Sequence, residues 1–159
     1  MTSHSDEPTS SVGSGAGPLP KKAYTTIVIE REIAVPRRVA WDGLLDMLAS
    51  VAGGYVSEGD PAPHGVGAVL EFGLGDLALS EEVISFEPPW RRVYELSGAP
   101  VALYQGTTAF VDRGDSCLMS WSLLVDPLPG SASDAFMAAA EKFLTGFADR
   151  LKDMVESGG

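Results

Sequence analysis

The order of its segments constrains this chain more than any single residue does. An extended run opening at Tyr24 leads straight into Val-Pro-Arg-Arg-Val-Ala-Trp at 35–41, five further strand-like segments follow, and one long amphipathic segment closes the sequence. Strands joined by short connections become antiparallel neighbours. A sheet built from six or seven of them must cover its apolar face with another element, and the closing helix has the required length. The expected architecture is therefore α+β, a curved antiparallel sheet wrapped around a long C-terminal helix, with an apolar cavity where the two stand apart.

Residues 1–22 are rich in Ser, Gly, Pro and Thr and show no apolar periodicity. Such a segment cannot bury enough surface to offset the entropy of ordering, so a disordered tail is expected, followed by one folded domain over 23–157. Eleven basic against 22 acidic residues give a net charge of −11. Asp6 and Glu7 cancel Lys21 and Lys22 in the tail, which leaves the whole deficit on the folded part. An acidic body repels phosphate backbones, so nucleic acid is not expected as a partner. No apolar run approaches the about 18 residues of a membrane span, and the N-terminus has no basic stretch leading into an apolar one. Stable membrane insertion is not expected, and the cytoplasm is the expected location.

Along the chain, Ile27, Ile29 and Ile33 share one face of the first strand at period two, and Arg31 falls on that same face. Pro36 suits the first turn of a helix, after which Trp41, Leu44, Leu45 and Leu48 recur at helical spacing up to about Ala49. The Gly- and Pro-rich stretch over 53–65 reads as a loop that holds a short second helix. Five strands are expected at about 66–73, 77–86, 91–97, 102–112 and 116–126, with tight turns at Gly-Leu-Gly-Asp (73–76) and Arg-Gly-Asp (113–115). Ser131 to Asp134 offer side chains to cap the last helix, whose apolar face reads Phe136, Ala140, Phe143, Phe147, Leu151 and Met154.

Alternation supplies a list of inward-facing residues: Leu70 and Phe72; Leu77, Leu79 and Val83; Tyr94 and Leu96; Met119, Trp121 and Leu123. For the fifth strand, Tyr104, Thr108 and Phe110 share one face and Leu103, Ala109 and Val111 the other; the aromatic face suits a pocket better. Tyr94, Tyr104 and Trp121 add polar handles that need a partner when buried. Arg31 and Glu81 both fall on otherwise apolar faces, so they either pair inside or are turned outward by a β-bulge. The candidate ligand contacts are Arg31, Leu70, Phe72, Leu79, Glu81, Tyr94, Tyr104, Met119, Trp121, Phe136, Phe143 and Phe147.

Catalytic signals are sparse. Only His4 and His64 occur, so no metal cluster and no catalytic residue is assigned. Gly65-x-Gly67 precedes a strand, the wrong context for phosphate binding, and no cofactor is expected. Cys117, the single cysteine, lies within a strand and reads as a small buried hydrophobe.

Several pieces in order carry a family resemblance: Ile33-Ala34-Val35-Pro36 through Val39-Ala40-Trp41, Gly65-Val66-Gly67-Ala68, Glu81-x-Val83 leading to Glu87-Pro88-Pro89 and Arg92-Val93-Tyr94, and Gly114 through Trp121. Together they resemble the START/Bet v 1-like (SRPBCC) superfamily, in its bacterial polyketide cyclase/dehydrase and lipid-transport branch, from Tyr24 to Val155. The resemblance implies a helix-grip fold with a ligand cavity between sheet and last helix. It also implies binding or transport of a small hydrophobic molecule of lipid, fatty acyl, quinone or polyketide type. Some relatives catalyse cyclisation or dehydration, which keeps a polyketide cyclase using Arg31, Glu81 and Tyr94 as the alternative, and others engage protein partners through an outer surface.

Overall fold

The computed structural model describes residues 15, 17, 18 and 21–158, so the expected N-terminal tail falls almost entirely outside the described residues. The elements are β1 (Thr25–Ile33), α1 (Arg37–Ala52), β2 (Val69–Leu74), β3 (Leu77–Glu87), β4 (Arg91–Ser97), β5 (Val101–Asp112), β6 (Cys117–Pro127) and α2 (Ser131–Ser157). The six strands form one curved sheet in the order β1-β6-β5-β4-β3-β2, every pair antiparallel. Chain neighbours from β2 to β6 pair directly, as their short connections require, and β1 closes the far edge against β6. This is the helix-grip arrangement: both helices lie on one face of the sheet.

Local chemistry sets the boundaries. Pro36 stands at the N-cap of α1, where its missing N–H leaves nothing unsatisfied, and Gly53 ends the helix in the left-handed conformation at φ 75°. The short helix expected within 53–65 is not formed. The segment doubles back on itself instead, through hydrogen bonds between Asp60 and Val66 in both directions and between Ser57 and Val69. Gly59 and Gly65 permit this because a side chain at either would collide with backbone across the fold-back.

Alternation along each strand puts one face in the core, with a break in β3. The register slips between Val83 and Ser85, so Leu79, Glu81 and Val83 face inward while Ile84 is pushed into solvent. Beyond the slip, Phe86 turns to the core face and its ring meets Trp41 of α1 at 5.5 Å; Trp41 also meets Phe110 at 6.1 Å. On β5, Tyr104, Thr108 and Phe110 are buried, so the aromatic face is the inner one.

Two expectations for α2 fail at its ends. No side chain caps its N-terminus; Gly130 holds that position, and the Ser133 hydroxyl is buried without a partner. At the other end Val155 is buried and Met154 is 43% exposed, the reverse of the expected face. The reason is Gly43 on α1: its bare backbone makes a notch for Val155, and a methyl group there would stand 2.5 Å from Val155 Cγ1. Positions three and four beyond Leu151 both lie near the apolar face, and packing against the notch selects Val155.

Candidate functional site

Between α2 and strands β2 to β6 lies a cavity of about 50 Å³. Phe72 and Leu79 from the β2–β3 hairpin form one wall, Phe136 and Phe143 from α2 form the opposite one, and Tyr94, Tyr104 and Trp121 make the floor. The aromatic rings meet edge to face, with Tyr104 and Phe136 centroids 5.9 Å apart, an arrangement that suits their opposed edge and face charges. Among the described residues, Glu81 is the one charged side chain in the lining.

The floor depends on an absent side chain. Gly106 is paired with Tyr94 across β4 and β5, and the Tyr94 ring lies so closely over it that any β-carbon would enter the ring. Lying flat in this way, the Tyr94 hydroxyl accepts a hydrogen bond of 2.9 Å from Trp121 Nε1. Burial pushes both the Tyr94 and the Tyr104 phenol well above the ordinary tyrosine value, so each keeps its proton.

A buried ion pair adjoins the cavity. Arg92 Nη2 donates to Glu81 Oε1, and both side chains are almost completely enclosed, at 1% and 6% exposure. The guanidinium carbon lies 5.1 Å from the Tyr94 ring centroid. Arg92 Nε and Nη1 and the hydroxyl of Thr108, its register partner on β5, are sealed with no hydrogen-bond partner among the described residues. Glu81 Oε2 also lacks one, but it is not sealed, because the carboxylate borders the cavity. Nearby, Tyr55 Oη and His64 Nδ1 share a hydrogen bond; burial lowers the His64 imidazole below its usual value and raises the Tyr55 phenol.

Eight of the residues singled out in the sequence border the cavity: Phe72, Leu79, Glu81, Tyr94, Tyr104, Trp121, Phe136 and Phe143. Leu70, Met119 and Phe147 are buried behind it, Phe147 with its ring 5.5 Å from that of Trp121. Arg31 does not reach the cavity and does not pair with Glu81. It lies on the edge strand beside α2, donating to Asp149 Oδ1 at 2.7 Å and to the Glu30 carbonyl at 2.7 Å. The β-bulge offered as the alternative exists, but it follows Glu81 by two residues and leaves that side chain facing inward. The residue that sequence reasoning missed is Arg92. Its signal was available, since Arg92, Tyr94 and Leu96 share one face at period two.

A family model described as polyketide cyclase / dehydrase and lipid transport matches residues 24–156. A search of curated proteins by sequence returns no significant match. Among solved structures, a point mutant of norcoclaurine synthase from Thalictrum flavum, in complex with a transition-state analogue, aligns over 88% of this chain and 99% of its own at 21% identity, TM-score 0.61. The Zhui aromatase/cyclase from Streptomyces sp. R1128 aligns over 84% and 94% at 12% identity, TM-score 0.65. The protein Ara h 8.0201 aligns over 85% and 99% at 14% identity, TM-score 0.64. At these identities the structural likenesses establish the shared fold.

Proposed function

The chain belongs to the polyketide cyclase / dehydrase and lipid-transport family, and from that premise we propose that it binds a small hydrophobic molecule between the sheet and α2. Lipid, fatty acyl, quinone and polyketide ligands are the classes in view. The observation that carries this reading is the lining: of fourteen residues around the cavity, only Glu81, Tyr94, Tyr104 and Trp121 have polar side-chain atoms. Removing apolar surface from water contributes about 25 cal/mol per Å², and a few polar groups then orient what is bound. The cavity of about 50 Å³ is small beside the roughly 300–1,000 Å³ of ligand sites. Occupancy therefore requires the half-buried rings of Phe72 and Phe143 to swing aside. The cytoplasm is the compartment we propose, and a single cysteine is compatible with it.

Native mass spectrometry of gently purified protein, together with titration of an apolar fluorescent dye, tests this reading. A co-purifying apolar molecule or saturable dye uptake, weakened by Trp121→Ala and Tyr104→Phe, is the expected result. Protein that carries nothing and takes up no dye would overturn it. A second reading, a polyketide cyclase or dehydratase, is favoured by the Glu81 carboxylate bordering a cavity that two protonated phenols also line, where it could act as a base. Turnover of poly-β-ketone analogues that is lost in Glu81→Gln would replace the carrier reading with this one.

A further inference from the structure

The geometry points to a rule of selection at this site: Glu81 Oε2 accepts a hydrogen bond from a neutral hydroxyl on the ligand, so the protein takes hydroxyl-bearing apolar molecules and rejects carboxylates of the same shape. This rests on the reading of the cavity as a ligand site. The carboxylate is nearly enclosed, at 6% exposure, yet among the described residues only Oε1 has a partner, the Arg92 guanidinium. Oε2 remains as an acceptor at the edge of an apolar space, where a group left unsatisfied carries a free-energy penalty. A ligand hydroxyl removes that penalty by donating.

The charged groups around the cavity reinforce the rule. Among the described residues no arginine or lysine lines the cavity, and the two free donors of Arg92 are sealed away from open space. A ligand carboxylate would therefore meet the Glu81 carboxylate while the one adjacent cation, Arg92, is already paired with Glu81 and turns no free donor to the cavity, in surroundings where like charges repel strongly. A purely apolar ligand would fit the walls but leave Oε2 unpaired. A neutral donor such as a hydroxyl satisfies both conditions.

Three probes with one skeleton separate these cases: para-butylphenol, para-butylbenzoate and butylbenzene, each competed against an apolar dye at fixed ionic strength. The parent protein should bind the phenol at least about tenfold more tightly than either of the others. Replacing the pair together, Glu81→Met with Arg92→Met, changes no net charge and substitutes apolar side chains of similar length, an exchange that buried ion pairs tolerate. In that variant the preference for the phenol over butylbenzene should collapse. Equal binding of all three by the parent protein, or tighter binding of the benzoate, would overturn the selection rule while leaving the cavity reading intact. Binding of none of the three would bring down both. The parent measurement stands alone if the double variant does not fold.

Discussion

Two sets of ion pairs hold opposite sides of this molecule, and they do different work. Glu81 and Arg92 lie between the sheet and its helices, at 6% and 1% exposure, with only the Glu81 carboxylate bordering the cavity. At the rim of β1, Arg31 reaches Asp149, and Lys152 Nζ donates to the Glu32 carbonyl at 2.7 Å and to Glu156 at 2.9 Å. Glu156 in turn accepts the Ala34 N–H at 2.9 Å. Rim pairs keep their hydration and are screened by salt, so they tie α2 to the edge strand with little net energy. The enclosed pair has lost its water, so either member without the other is an uncompensated charge. The same chemistry is a fastening in one place and a mutual obligation in the other.

Arg92→Ala breaks the comparison most directly. It strands the Glu81 carboxylate and should cost about 3–5 kcal/mol by urea unfolding, whereas the paired Met replacement should remain near the parent. If the single and double variants were equally stable, the pair would not be coupled.

Gly106→Ala asks how firmly the surroundings of the pair are set. The new methyl group must displace the Tyr94 ring on which the Arg92 guanidinium rests and from which Trp121 takes its acceptor. A loss of about 1–3 kcal/mol, with a change in tryptophan fluorescence, is expected. An unchanged spectrum at parental stability would mean that the floor of the cavity yields easily.

The smallest effect belongs to the rim. Arg31 pulls the Asp149 carboxyl below its usual range by hydrogen bonding to it, and the Ala34 N–H, then Lys152, does the same to Glu156. A carboxyl more acidic in the folded state adds stability that is full above its unfolded value, about 4, and fades as pH falls through the folded one. Arg31→Ala should therefore unfold slightly more easily than the parent at neutral pH, with a gap that closes in acid and in high salt. A gap that persisted in acid would show that Arg31 acts through packing.

These contrasts also mark how far the sequence could be read. The sheet and six of the cavity residues followed from period two, because a strand with one buried face writes that face into every second residue, while the closing helix with Phe136 and Phe143 followed from helical spacing. Glu81 was legible as an oddity on such a face. Its partner was not identified, because Arg92 stands next to Arg91 and an arginine pair at a strand start reads as solvated surface. Ile84 hid Phe86: one extra residue in β3 reverses the parity beyond it, and no local signal marks the slip. Val155 displaced Met154 for a reason that lies on another element, the Gly43 notch.

The uneven fastening of α2 has a mechanical consequence. Its last turns are held by directional bonds to β1 and by the Gly43 notch, while its first turns carry no cap and cover the cavity with Phe136, Ala140 and Phe143. Directional bonds resist small displacements, whereas apolar contacts are non-directional and allow sliding. The helix is thus held by directional bonds at one end and by apolar packing at the other, and the packed end is the one over the cavity.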